Sequence, residues 1–337
     1  MNERTACPAC EDTAIRSLYH QPSVPAQIVV LLDTAENARD FPTGTLTLAV
    51  CEACGFLFNA AFDPGLIDYS ATTEESQHFS GTFNRFARNL VAEIGALKPL
   101  DGRLTLEIGC GKGDFLEELV RETGTRAIGV DPGYLPDRRA APASEGDIRF
   151  RREHFDPARI DEVPDLVVCR HTLEHIHDVL SFMTDVVAVT QGNASADVMF
   201  ETPDVARVLA EGAFWDIYHE HCSYFTIGSH ARLFRRVGLD VTRSYLGFGG
   251  QYIIQYARPG SGRPRAEEQD IDEVLRLADA FPSKVAETCA FWSDRIEEAR
   301  RLGRSVAIWG GGSKCVSFLG TLETGEEIRA VVDINTF

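Results

Sequence analysis

Residues 104–115 read LTLEIGCGKGDF, and no other stretch constrains the fold as tightly. The run Leu104, Thr105, Leu106, Glu107, Ile108 predicts a short buried strand. Gly109, Gly111 and Gly113 alternate through the turn that follows. Without a Cβ, glycine lets the backbone turn sharply and lets a ligand lie against it. Asp114 is placed to cap a helix over 115–120. Strand, glycine turn and helix open a nucleotide-binding α/β unit. The next apolar run, 127–130, ends in Asp131, a side chain placed to accept hydrogen bonds from ribose hydroxyls.

Charge narrows the nucleotide. A pyrophosphate wants bare backbone N–H groups at a helix N-terminus. Glu107 and Asp114 flank this loop and would repel one; they suit a ligand carrying an ammonium group and a sulfonium. The composite of Glu107, Gly109, Gly111, Gly113 and Asp114 resembles motif I of the class I S-adenosylmethionine methyltransferases. The alternative is a glycine-rich loop used only for packing.

The chain has 337 residues, enough for two or three domains. Its formal charge is −18, from 33 basic and 51 acidic residues, which argues against nucleic acid as a partner. No apolar run approaches the length of a membrane span, so no membrane partner is expected. The polar N-terminus carries no signal-peptide pattern. Nine cysteines then read as reduced thiols or metal ligands, and the expected location is cytoplasmic.

Two CxxC knuckles, Cys7/Cys10 and Cys51/Cys54, supply four thiolates, the donor set of a structural zinc site. A redox CxxC is the other reading. An insertion with the apolar run 28–32 and a strand candidate over 45–50 must fold between them. From Ser80, a capping candidate, Phe79, Phe83, Phe86, Leu90 and Ile94 fall at helical spacing. Beyond Asp131, strands are predicted at 148–150, 165–169 and 197–201, helices at 178–189 and 228–237, and a closing strand pair at 241–245 and 251–257. Ligands bind beyond the carboxyl ends of such strands. That places 107–113, Asp131, 170–175 and 201–224 at the site, with Arg170 and His171 among the cofactor-binding candidates. Residues 258–265 read as a linker, followed by helical stretches broken at Pro282. A last strand, turn and strand over 305–333 read as the start of a second Rossmann-like half that continues beyond this sequence.

Two histidine clusters stand out. The first, 170–177, contains His171-Thr-Leu-Glu-His175, an H-x-x-E-H string that is either an inverted-zincin pair or cofactor-pocket lining. Its place after a buried strand favours lining. The second, 215–225, offers Tyr218, Glu220 and His221 within four residues. A histidine titrating near neutrality makes a general base for an acceptor; a hydrogen-bonded polar loop is the other reading.

The paired knuckles, LEIGCGKGDF, CRHTLEHI, YHEHCSYF and AIWGGGSK occur in one order. That order resembles the three-domain, zinc-containing sugar C-methyltransferases of antibiotic deoxysugar pathways, over essentially the whole chain. The resemblance implies an α/β fold: a zinc-binding domain (1–70), a Rossmann-like S-adenosylmethionine-dependent methyltransferase domain (71–258), a helical linker region (259–303) and a partial C-terminal Rossmann-like domain (304–337). It implies methylation of a carbon beside the keto group of a nucleotide-linked sugar. The catalytic residues it implies are His221 as base, with Tyr218 and Glu220. The nucleotide part would lie near Lys314. Three departures bear on the acceptor: Gly249-Gly-Gln-Tyr252 stands where a Gly-Gly-Ser type segment is usual, Cys315 replaces a glycine, and the C-terminal domain reads as incomplete. An O- or N-methyltransferase remains a competing reading. So does a nicotinamide oxidoreductase or nucleotide-sugar binding protein built on 309–312 and Asp333.

Overall fold

The computed structural model describes residues 3–28, 30–69, 80–135, 147–322 and 325–334. Strand β1 (Ile15–Pro25), the short helix α1 (Ala35–Arg39), β2 (Thr43–Cys51) and β3 (Leu57–Asn59) form an antiparallel sheet beside the cysteine knuckles. The predicted strand 45–50 lies within β2. Of the predicted run 28–32, Leu31 and Leu32 are exposed and Val29 lies outside the described residues.

Helix α2 (Gly81–Leu97) starts where Ser80 Oγ accepts the N–H of Phe83 at 3.3 Å. It buries Phe83, Ala87, Leu90, Val91 and Ile94, the apolar stripe that the spacing predicts. Phe79 lies outside the described residues.

The central unit then runs β4 (Leu104–Ile108), α3 (Asp114–Thr123), β5 (Arg126–Val130), β6 (Ile148–Arg151), β7 (Leu166–Arg170), α4 (Val179–Val189), β8 (Asp197–Pro203), α5 (Val205–Glu211), β9 (Ser223–Tyr224), α6 (Ile227–Arg236), β10 (Leu239–Gly247) and β11 (Tyr252–Pro259). Seven of these strands make one sheet in the order β10-β11-β8-β7-β4-β5-β6, with β11 antiparallel to both neighbours. Strands β4 and β7 are buried at every residue, as expected where helices cover both faces. Strand order reverses between β7 and β5 on either side of β4, so the crevice opens at the carboxyl end of β4.

One strand leaves this sheet. β9 pairs antiparallel with β3, Leu57 opposite Tyr224 and Phe58 opposite Ser223. The N-terminal sheet therefore takes its fourth strand from the second histidine cluster.

Helix α7 (Ile271–Arg301) runs unbroken through Pro282. The break expected there does not occur. Phe281 and Val285, buried on either side of Pro282, anchor both flanking turns, and Phe281 packs edge-on against Tyr19 at 5.9 Å. That burial outweighs the lost N–H and the clash with the preceding turn, about 3 kcal/mol. Strand β12 (Val306–Trp309), α8 (Ser313–Thr321) and β13 (Ile328–Val332) follow as a parallel strand pair and its helix. Phe318 of α8 stacks on Phe214 at 5.9 Å, which docks this last unit on the segment before the second histidine cluster. Among the described residues, no helix is long and apolar enough to cross a membrane.

Candidate active site

A cleft of about 1,420 Å³ runs from the glycine loop after β4 to the turn after β12. Glu107, Gly109, Gly111, Asp131, Arg170, His171, Tyr218, Glu220 and His221 all line it. The sequence-predicted cofactor and acceptor residues thus share one space. Gly113 lies just behind.

At the cofactor end, Gly109, Gly111 and Gly113 have φ of +72°, +52° and +90°. A Cβ at Gly109 would fall 1.9 Å from Thr172 Oγ1, and one at Gly113 2.5 Å from Phe150. Two of the three glycines are therefore demanded by protein packing as well as by the turn. Gly113, not Asp114, stands at the N-cap of α3 and gives no side-chain cap; Asp114 is the first helical residue. Its charge there still complements the helix dipole.

Asp131 clamps the loop. Its Oδ2 accepts the N–H of Gly111 at 2.9 Å and its Oδ1 that of Gly133 at 2.7 Å. Each oxygen keeps a lone pair for a ligand. Burial pushes its carboxyl up. Glu107 is buried, its Oε2 has no hydrogen-bond partner, and burial raises it to about 8. The group is therefore protonated at pH 7, and a ligand bearing a cationic donor beside the unpartnered oxygen would favour its ionised form. Asp131→Ala should weaken adenosylhomocysteine binding by about 1–3 kcal/mol, the cost of stranding its polar partners. Calorimetry on the folded variant checks this, and unchanged affinity would remove Asp131 from the site.

The segment after β7 carries a buried charge network. Arg170 Nε donates to Glu201 Oε2 at 2.6 Å, and the guanidinium lies 4.0 Å from the Phe115 ring centre. His171 Nε2 lies 2.9 Å from Glu201 Oε1, and its Nδ1 lies 3.5 Å from Glu174 Oε1. His171 is held at φ +48°, a region sparsely used by non-glycine residues. Burial opposes its charge, but the Glu201 and Glu174 carboxylates outweigh burial and raise it to about 9. Burial likewise opposes the Glu201 charge, yet Arg170 and His171 hold that carboxyl near about 2.

This network makes a pH prediction. The folded His171 titrates above its ordinary 6.5, so its stabilising effect is complete below pH 6.5 and is lost as pH rises through 9. The advantage of wild type over His171→Gln should therefore shrink by up to about 3 kcal/mol between pH 6 and pH 10. Denaturant melts at the two pH values check it. A gap independent of pH would show that the ring is neutral in the fold.

At the acceptor end, the His221 ring meets Tyr218 edge-on at 4.8 Å and His175 at 4.7 Å. Burial first, then the His175 and His171 imidazoles, push His221 well below its ordinary value, so the ring is neutral at pH 7. Burial keeps Tyr218 a neutral phenol, donating to Asp216 Oδ1 at 3.3 Å. The Glu220 carboxylate turns from the ring toward the N-terminal unit, where Oε1 accepts the N–H of Ile28 at 3.4 Å. His219 is wholly buried, with Nδ1 3.3 Å from the Ala26 carbonyl and Nε2 accepting the Asp63 N–H at 3.5 Å. Its contacts are those of a structural histidine. His171 and His175 do not form a helical metal pair, because residues 173–175 are a single 3₁₀ turn. Instead Glu174, His175 and His221 bring ligand atoms within 4.8 Å of one another. Glu174 and His175 sit inside the H-x-x-E-H string, but their meeting with His221 depends on β9 and is invisible in either segment alone.

The four knuckle cysteines converge away from this cleft. Cys7 Sγ lies 3.7 Å from Cys54 Sγ, and Cys10 Sγ 3.5 Å from Cys51 Sγ. Thiolates about 2.3 Å from one tetrahedral zinc would stand about 3.8 Å apart. The last unit repeats the clamp of the first. Asp333, after β13, accepts the N–H of Gly311, as Asp131 does for Gly111. Lys314 pairs with Asp216 at 2.9 Å.

A sheet of this order, with a glycine loop clamped by the next strand's aspartate, is the arrangement of a nucleotide-binding α/β unit. Residues 77–244, just under half of the chain, match the family described as methyltransferase domain. It is 29% identical over 256 residues to C-methyltransferase NovU of Streptomyces niveus, covering 72% of this chain and 58% of that protein. The chain thus spans under two thirds of that relative's length. An uncharacterized methyltransferase of Alkaliphilus oremlandii (strain OhILAs) is 26% identical over 158 residues, 45% of this chain and 72% of that one. Among solved structures, magnesium protoporphyrin IX methyltransferase (ChlM) from Synechocystis PCC 6803 overlaps with a TM-score of 0.42 at 14% identity, over 57% of this chain and 91% of that one. Nothing below depends on that overlap.

Proposed function

We propose that this chain methylates a carbon beside the keto group of a nucleotide-linked deoxysugar or a related small molecule, with His221 as general base. The observation that carries the reading is a neutral, half-buried imidazole in the same cleft as the clamped glycine loop. The cofactor, held by Glu107, Asp131 and the 109–113 backbone, supplies a methyl group already activated on a sulfonium. What remains for the protein is to make carbon nucleophilic. The proton on the acceptor's α-carbon passes to His221, and its electron pair becomes an enolate. The enolate carbon forms a bond to the methyl as the carbon–sulfur bond breaks, which restores the ketone. His221 then returns its proton to solvent. Tyr218 braces the ring edge-on.

Phe248 and Tyr252, stacked at 5.1 Å, and the turn between them form a wall of the cleft opposite His171. This is the segment that departs from the usual sugar-methylating pattern, so it shapes the acceptor. The Gly310–Gly312 turn and Lys314 at the far end suit the nucleotide part of such a substrate. The four cysteines hold one structural zinc, and reduced thiols fit a cytoplasmic location. The relative named C-methyltransferase supports the reaction class.

The test uses [methyl-¹³C]adenosylmethionine with a nucleoside-diphosphate-linked keto-deoxysugar, followed by NMR of the product. A labelled methyl bonded to carbon next to the former keto group is expected. Label on oxygen or nitrogen alone would replace carbon transfer with the heteroatom reaction.

A further inference from the structure

We infer that Glu174 is the positioning residue that supplies the counter-charge when His221 takes a proton; this rests on the reading of His221 as base. The argument starts from what the ring must become. A base that is neutral at rest turns cationic at the moment it works. Here that cation forms in a buried site, beside a second imidazole 4.7 Å away and near the charged His171. Both neighbours oppose it. Without a carboxylate close by, proton transfer to His221 would be suppressed.

Two carboxylates compete for the role. Glu220 is adjacent in sequence and also keeps a buried Oε2 without a partner, but its Oε1 accepts the Ile28 N–H and it is not among the groups whose ligand atoms lie within 4.8 Å of the His221 ring. Glu174 lies on the neighbouring segment, with an oxygen within 4.8 Å of the ring nitrogens offered by His175 and His221. Its side chain is nearly wholly buried, one oxygen faces His171, and Oε2 has no partner. Leaving such an oxygen unpaired is costly unless a donor arrives in function. The N–H that appears on His221 after proton transfer is such a donor.

The placement is built, not incidental. The Cys222 thiol donates to the Glu174 carbonyl at 3.7 Å, and Ser223 Oγ donates to the Ile176 carbonyl at 2.7 Å. These bonds staple the two histidine clusters together at the start of β9. Arg170, Glu201, His171 and Glu174 then alternate in charge from the cofactor end toward the base. The titratable groups facing His221 are His171, Glu174 and His175 on that segment and Tyr218 and Tyr224 on its own. The transferred proton rests on His221.

The test measures deuterium exchange into the α-carbon of a nucleoside-diphosphate-linked keto-deoxysugar, with adenosylhomocysteine in place of the donor. Glu174→Gln should cut exchange about 10-fold or more and move the half-maximal pH of the profile down by about 1. Glu174→Asp should restore part of the rate. Adenosylhomocysteine affinity should be unchanged in both variants, which excludes misfolding. Wild-type exchange in Glu174→Gln, with exchange lost in His221→Ala, would overturn the role of Glu174 alone. Wild-type exchange in His221→Ala, or none in wild type, would remove the base and this inference with it. A metal ion beyond one zinc per chain that is lost in Glu174→Gln would make the cluster a metal site and also overturn the proposal.

Discussion

Cys51→Ser is expected to release the zinc and, with it, the acceptor side of the cleft. Cys51 closes β2 and is wholly buried, as Cys7 nearly is. Both sit in the same apolar core as Phe56, Phe58 and Phe225, which joins the N-terminal sheet to the central one. The knuckle is therefore not a separate appendage. Strand β3 starts six residues after Cys51 and pairs with β9, and the Asn59 N–H donates to the Cys222 carbonyl at 3.0 Å. Structural zinc supplies about 10–16 kcal/mol of apparent binding free energy in small zinc modules. The variant should lose stoichiometric metal and melt at least several degrees lower. Adenosylhomocysteine binding should survive better than methyl transfer, since the glycine loop belongs to the other sheet. Metal analysis with thermal melts decides the matter. Intact wild type without stoichiometric zinc, or a variant that melts like wild type, would refute it.

His221→Ala is expected to abolish turnover while sparing the cofactor. General base catalysis is worth about 10²–10⁴-fold, and an unactivated carbon offers no other route to the sulfonium methyl. The neighbouring imidazoles do not substitute readily. His219 is committed to Ala26 and Asp63, and His171 is charged and flanked by two carboxylates. His221→Gln, which keeps a polar side chain but cannot take a proton, should fail as fully as His221→Ala. Since His221 is neutral well below pH 7, the acid limb of the activity profile belongs at low pH. A limb near 6.5 would mean that the ring is solvated in the working enzyme.

The central sheet was legible because its signals are local. The run 104–108, the three glycines and Asp131 fix strand, turn and strand within thirty residues, and the structure places them as read. The N-terminal sheet was less so. β1 includes polar residues and a proline at its end, and its strand character comes from pairing with β2. β9 is two residues long and becomes a strand through β3 alone. Pro282 misled because propensity registers the missing N–H but not the burial of Phe281 and Val285 around it. At the site, residue types were readable and pairings were not. Glu220 stands beside His221 in sequence yet bonds the Ile28 N–H, whereas Glu174, far away in sequence, brings an oxygen within 4.8 Å of a His221 ring nitrogen.

The most direct test of the central claim is exchange of the acceptor's α-proton with deuterated solvent, followed by NMR with adenosylhomocysteine bound and no methyl donor present. Wild type should wash deuterium into the carbon beside the keto group of a nucleoside-diphosphate-linked keto-deoxysugar. His221→Ala should slow that exchange by about 100-fold or more while binding adenosylhomocysteine as wild type does. Exchange at the wild-type rate in His221→Ala would contradict the assignment of the base.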